Sequence, residues 1–212
     1  MNKGFESEIF NSILSSLGEV CPLEIAFDDS LLKKQLKPYH DKWVPYNRSK
    51  PDYKRYGLSL FSLDGGISGV IDLNSLLEYN RKNQTDYSEL SFRVPTCYWK
   101  ELSSLSEPLK GIEKNLGRSH LIRLDNGGFF PPHRDLEGNT FRLIAFFNSE
   151  PDTLAFLLDD KKIYFLPNRL YFFNARRTHS LFSFKDNTIL LVLNVEYSED
   201  SINFVMENLL DK

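Results

Sequence analysis

The sequence predicts a mainly β fold, a β-sandwich or small barrel, with a helix at each end. Two observations carry this. After Gly117, seven short apolar runs follow one another, separated by Asn, Asp, Gly and Pro, whereas both chain ends repeat apolar residues at helical spacing. A length of 212 residues fits one hydrophobic core, so residues 1–212 are read as a single domain. Within it, 1–117 form a supporting extension, 118–197 the β core and 198–212 a closing helix.

Taken in order, Ile9, Phe10, Ile13, Leu14 and Leu17 share one face of a helix over 6–17, and Gly18 follows as its stop. Residues 30–56 are rich in Lys, Tyr and Pro and show no clear period. Residues 56–63 alternate apolar and polar side chains before the turn signal Asp64-Gly65-Gly66, which predicts a strand. Residues 102–116 are interrupted by Pro108 and read as helical beyond it. The seven predicted strands cover 120–124, 141–147, 154–158, 163–166, 170–173, 180–184 and 188–195. Ile202, Val205, Met206, Leu209 and Leu210 then fall on one helical face, with Ser198 or Ser201 as its cap.

Composition excludes several classes. Apolar residues at 41% and charged residues at 26% describe a globular chain, not a disordered one. Twenty-six basic against 29 acidic residues leave no overall attraction for nucleic acid or anionic membrane, and no nucleic-acid partner is expected. No apolar run approaches the roughly 18 residues of a membrane span, and acidic residues stand near the N-terminus where a signal peptide would need an apolar stretch. Cys21 and Cys97 show no C-x-x-C spacing, which suits a reducing cytoplasm. A cytoplasmic protein is therefore expected.

One constellation carries chemistry. In Asn126-Gly-Gly-Phe-Phe-Pro-Pro-His133-Arg134-Asp135, a His and an Asp stand two positions apart after Gly and Pro residues. Residues two apart in an extended chain face one side, so imidazole and carboxylate can converge on one ion. His179, between the predicted strands 170–173 and 188–195, can complete a two-His, one-carboxylate set. Such a set suits iron(II) and leaves positions open for a bidentate 2-oxo acid and for dioxygen. An anionic co-substrate also needs a fixed cation of matching geometry, and Arg142 on the next predicted strand is the leading candidate. His120 and His40 lack a carboxylate at that spacing and are read as a strand histidine and a surface histidine. Arg176 and Arg177 are read as a solvated loop pair. Trp43, Tyr98 and Trp99 either line a pocket or pack.

These segments resemble the aspartyl/asparaginyl β-hydroxylase family, whose bacterial relatives include proline cis-4-hydroxylases. Arg123 to Asp135 is similar to the family's strand, Pro/Gly turn and His-Arg-Asp segment. Phe141-Arg142-Leu-Ile-Ala-Phe-Phe-Asn148 is similar to its arginine-bearing strand. Tyr171-Phe-Phe-Asn174 leading to His179-Ser180-Leu181 is similar to its second histidine segment, and 189–197 to its last strand. Across residues 50–197 the resemblance implies a double-stranded β-helix (jelly-roll, cupin-like). It also implies an iron(II)- and 2-oxoglutarate-dependent dioxygenase that hydroxylates a C–H bond of an amino acid, peptide or protein side chain. His133, Asp135 and His179 would hold iron, and Arg142 would contact 2-oxoglutarate.

The sequence departs from the family at one point. The family carries an Arg on the last strand for the far carboxylate of 2-oxoglutarate, where this chain reads Asn187-Thr188-Ile189-Leu190. Lys185 and Arg123 are the alternative cations. The departure keeps open a cupin-type metal-dependent enzyme that uses no 2-oxo acid. A non-catalytic jelly-roll binding module, indifferent to metal, is the other alternative.

Overall fold

Helix α1 (Lys3–Ser16) stops where expected, at Gly18, whose φ of 106° lies in the left-handed region. Residues 3–135, 139–148, 150 and 152–210 are described in this computed structural model. Strand β1 (Val20–Ala26) follows, then α2 (Asp29–Leu36), capped by the Asp28 side chain accepting from Leu31 N at 2.9 Å. Short strand β2 (Val44–Pro45) leads to β3 (Arg55–Ser59) and β4 (Phe61–Ser62). After α3 (Leu76–Asn83) and β5 (Val94–Pro95) come the short helices α4 (Cys97–Glu101) and α5 (Ser103–Ser106).

The predicted strand over 56–63 is thus two strands. Leu60 N and Phe61 N both donate to Ser119 O, at 2.8 and 3.4 Å, and this shared acceptor bends the chain so that β4 leaves the main sheet to pair with β5. The region beyond Pro108 forms a 3₁₀ helix over Lys110–Asn115.

From there the chain is strands: β6 (His120–Leu124), β7 (Phe129–His133), β8 (Thr140–Phe147), β9 (Leu154–Leu158), β10 (Lys161–Ile163), β11 (Arg169–Phe173), β12 (His179–Ser183) and β13 (Thr188–Glu196). Helix α6 (Glu199–Glu207) closes the chain behind a Ser198–Ser201 capping box. Strand β10 shares only Ile163 with the predicted run 163–166: it lies earlier, at 161–163, and beyond it Leu166 N turns away to donate to the Tyr171 hydroxyl at 2.9 Å.

The larger sheet has the order β1-β11-β8-β13-β6-β3-β2, and the smaller one β10-β9-β12-β7. From β6 onward the chain crosses repeatedly between them: β6, β8, β11 and β13 lie in the larger sheet, β7, β9, β10 and β12 in the smaller, and all their ladders are antiparallel. This is the mainly β, double-stranded β-helix. Among the described residues no helix is long and apolar enough to cross a membrane.

Burial explains the strand sequences. One core lies between the sheets and includes Ile122, Ile144, Phe156, Phe173, Leu181 and Leu190. Another covers the outer face of the larger sheet, where Leu121, Leu143, Leu191 and Leu193 meet Leu14, Leu32, Leu105 and Val205 of the helices. Strands β8 and β13 are covered on both faces, so they read as continuous apolar runs, not as alternation. Strand β12 faces solvent on one side, where Phe182 is exposed.

Two prolines sit inside β7, at 131 and 132. They are tolerated because β7 is the edge of the smaller sheet. Its inner neighbour is β12, and the register sets His133 directly opposite His179. Two residues far apart in sequence thereby reach one end of the barrel.

Candidate metal centre

The cross-strand pair puts the His133 and His179 rings 4.2 Å apart, centroid to centroid. Asp135 lies two residues beyond the end of β7, where its backbone N–H donates to Ala175 O at 2.9 Å and turns the carboxylate back toward the histidines. His133 Nε2 is 3.8 Å from Asp135 Oδ1, and His179 Nε2 is 4.0 Å from Oδ2. One donor atom from each of the three residues lies within 4.8 Å of the others.

The tautomers suit metal binding. His133 Nδ1 is 2.8 Å from Pro131 O, and His179 Nδ1 is 3.0 Å from Arg177 O. A carbonyl only accepts, so each Nδ1 carries the proton and each Nε2 presents its lone pair to the gap between the three side chains. Burial, with His133 nearby, pulls the His179 pKa from 6.5 down to about 4. A neutral imidazole is the form that ligates a metal. Burial alone would raise the Asp135 carboxyl, but Arg142, His179 and His133 together outweigh it and the pKa falls below the ordinary value. Two imidazoles and one ionised carboxylate fit a divalent first-row metal such as iron(II).

Behind Asp135 lies a buried charge network. Arg142, projecting from β8, donates from Nε to Asp135 Oδ2 at 2.9 Å, and its far nitrogen is 3.9 Å from Glu89 Oε1. Glu89 in turn receives two bonds from Arg118, each 2.7 Å, and one from Asn194 Nδ2 at 2.9 Å. Burial by itself would lower the Arg142 pKa, but Asp135 and Glu89 raise it. The segments touch closely: a Cβ on Gly117 would stand 2.6 Å from Glu89 O, the carbonyl that accepts from Arg118 N at 2.8 Å.

The triad opens onto a cavity inside the barrel, walled by Ile122, Ile144, Phe156, Leu181, Leu190 and Val192, with His120 and Tyr46 as polar neighbours. A wider cleft continues outward past Tyr53, Arg55, Asn74 and Lys50. Of the residues singled out from sequence, His133, Asp135, His179 and Arg142 come together here. Arg123 and Lys185 lie elsewhere. Alternation along β6 turns Ile122 inward and Arg123 to the opposite face, against the Trp43 and Tyr56 rings and 3.4 Å from Asp125. Lys185 sits in the turn between β12 and β13, its carbonyl accepting from the Ser183 hydroxyl at 2.8 Å. Tyr98 and Trp99 are core residues, and His40 is on the surface.

Sequence reasoning missed Glu89, Arg118, Arg55 and Tyr46, and took His120 for an ordinary strand residue. His120 is on β6, yet it is 1% exposed, its Nδ1 has no hydrogen-bond partner, and burial first and Arg118 second pull its pKa well below 6.5.

These shifts fix a pH dependence. Unfolded histidine takes up its proton near pH 6.5, whereas folded His179 does so only near pH 4, so between these values the unfolded chain binds more protons. The metal-free protein is expected to gain stability as pH rises through this window, with His179 contributing up to about 3 kcal/mol and His120 acting in the same direction. Urea unfolding at intervals from pH 4 to 7 measures it. A slope unchanged in His179→Gln would assign the effect to other groups.

No protein-family model matches the chain, and no curated protein sequence matches it. Similar solved structures include an oxidoreductase of the 2OG-Fe(II) oxygenase family from Burkholderia pseudomallei, 12% identical with a TM-score of 0.45, covering 91% of this chain and 90% of that one. A prolyl-4-hydroxylase from Pseudomonas putida is 10% identical with a TM-score of 0.44, covering 88% and 98%. KdgF from Halomonas sp. is 13% identical with a TM-score of 0.33, covering 41% and 74%. At these values the likenesses say nothing of what this chain binds or does.

Proposed function

We propose that this protein is a non-haem iron(II)- and 2-oxoglutarate-dependent dioxygenase that hydroxylates a C–H bond of an amino acid, peptide or protein side chain. The observation that supports it is the convergence of His133, Asp135 and His179 at the mouth of an apolar barrel cavity. Three protein donors leave the remaining metal positions for a 2-oxo acid and dioxygen. With iron(II) held there, the chemistry supplied is oxidative decarboxylation of 2-oxoglutarate to succinate and CO₂, with one oxygen atom entering succinate and the other the substrate.

The chain's own residues do the rest. The backbone carbonyls of Pro131 and Arg177 fix the imidazole tautomers. Arg142 holds one oxygen of the Asp135 carboxylate and keeps it ionised. The apolar walls from Ile122, Leu181 and Leu190 exclude water from the reacting centre. The substrate, a small molecule or peptide, would approach through the outer cleft.

The expected result is conversion of 2-oxoglutarate to succinate by aerobic, iron-loaded protein, followed by NMR, and raised when the right substrate is present. Protein that takes up iron(II) but neither binds nor consumes 2-oxoglutarate would falsify the proposal. One observation favours a second reading, a cupin-type metal enzyme using no 2-oxo acid: the inward side chains of β13 at the cavity are Leu190 and Val192, not a cation. Titration calorimetry with 2-oxoglutarate on metal-loaded protein separates the two.

A further inference from the structure

Among the described residues, Arg55 is the one buried cation of the site region that no carboxylate meets. It is 6% exposed at the start of β3, and its Nε, shielded from water, has no hydrogen-bond partner. Among the described residues it forms no ion pair, and the titratable groups acting on it are Tyr46 and Tyr53. Three rings surround its guanidinium carbon, at 4.2 Å for Phe130, 4.8 Å for Tyr53 and 5.4 Å for Tyr46. Aromatic faces stabilise a cation but leave its in-plane N–H groups directed at nothing. Burial accordingly lowers its pKa from the ordinary guanidinium value. A buried arginine serving only the fold is ordinarily paired, as Arg118 and Arg142 are here.

Its position joins the two spaces of the site. Phe130 and Tyr46 line both the barrel cavity and the outer cleft, and Arg55 lines the cleft. Phe130 in turn lies 6.2 Å from the His133 ring, centroid to centroid. The buried charges lining these spaces are the guanidiniums of Arg55, Arg118 and Arg142 and the carboxylates of Glu89 and Asp135. Arg118 and Arg142 are answered by those carboxylates, so among the described residues one buried positive charge is left over before any divalent metal binds. A metal adds two more. A dianionic ligand whose one end meets the metal and whose other end carries a carboxylate offsets two of the three, one charge at the metal and one at Arg55.

Resting on the function proposed above, we infer that Arg55 receives the far carboxylate of 2-oxoglutarate, in place of a cation on the last strand. The bond is the two-pronged guanidinium–carboxylate kind, and the Tyr46–Tyr53–Phe130 cage holds the guanidinium plane ready for it.

The test compares 2-oxoglutarate with 2-oxopentanoate, which has the same chain length and lacks the far carboxylate. Calorimetric titration uses the full chain loaded with Mn(II) under anaerobic conditions, so binding is read without turnover. Wild type is expected to prefer 2-oxoglutarate by about 10- to 100-fold, the value of a charge-assisted pair in a buried site. Arg55→Met is expected to bind 2-oxopentanoate as wild type does and to lose most of its preference for 2-oxoglutarate. Should Arg55→Met not fold, Arg55→Gln, which keeps a planar head without the charge, reads the same ratio. A ratio unchanged in the variant overturns the inference and assigns Arg55 to another anion, such as a carboxylate of the substrate. Wild type that binds Mn(II) but no 2-oxoglutarate overturns the function itself, which distinguishes the two failures.

Discussion

Asp135→Ala is expected to abolish turnover of 2-oxoglutarate and to weaken metal binding by at least about 100-fold, since loss of a direct ligand exceeds the 10- to 100-fold cost of losing an outer-shell partner. A second effect follows in the metal-free protein. Asp135 accepts the 2.9 Å bond from Arg142 Nε, and the Arg142 side chain is only 11% exposed. Truncating the carboxylate leaves a buried guanidinium with Glu89 at 3.9 Å as its remaining counter-charge, at a cost of about 3 kcal/mol. Asp135→Asn keeps an oxygen for Arg142 and should lose metal affinity with a smaller loss of stability. Adding Arg142→Met to Asp135→Ala removes the stranded charge and should recover stability without recovering metal. Calorimetry with the metal and urea unfolding of the metal-free variants read the two effects separately. Asp135→Ala protein that binds metal like wild type would remove the carboxylate from the ligand set.

What the sequence made legible was local. Strands β6, β9, β11 and β13 read clearly because their apolar runs lie between turn residues and their burial follows from their own composition. Strand β7 did not, because Pro131 and Pro132 signal a turn, and only its place at the edge of the smaller sheet makes them acceptable. Helices α2 and α3 also escaped notice: each is eight residues long with few buried positions, so capping by Asp28 and Ser75 matters more than any apolar period. The same division runs through the site. His133 and Asp135 are neighbours in sequence, and the loop before β12 marks out His179. Arg142 was placed at the site as a candidate for the co-substrate, but its partner could not be read, since its bond to Asp135 depends on how the chain turns after β7. Glu89 meets Arg118 and Asn194 across 29 and 105 residues of chain, and the cage of Arg55 is complete only when Phe130 of β7 joins the nearby Tyr46 and Tyr53. Contacts between distant segments leave no spacing to read.

Glu89→Ala is expected to cost about 3–5 kcal/mol, the range for breaking a buried pair by removing one partner. Glu89 is 3% exposed, it takes both bonds of the Arg118 fork, and it also stands beside Arg142. Its removal strips one guanidinium of its bidentate partner and weakens the charge balance of a second. Glu89→Gln preserves volume but turns an amide N–H₂ toward donors, so it should fall between alanine and wild type. The consequence reaches the metal. Arg142 is held between Asp135 and Glu89, and with one anchor gone the Asp135 carboxylate loses a fixed orientation, for which a 10- to 100-fold loss of metal affinity is expected at temperatures where the variant remains folded. Combining Glu89→Ala with Arg118→Met tests the division of labour. The double variant removes the more deeply committed guanidinium and should regain part of the lost stability, yet Arg142 still lacks its second anchor and metal affinity should stay low. Recovery of both together would mean that Glu89 acts on the site only through the folded state, and recovery of stability alone would make it a positioning residue for Asp135.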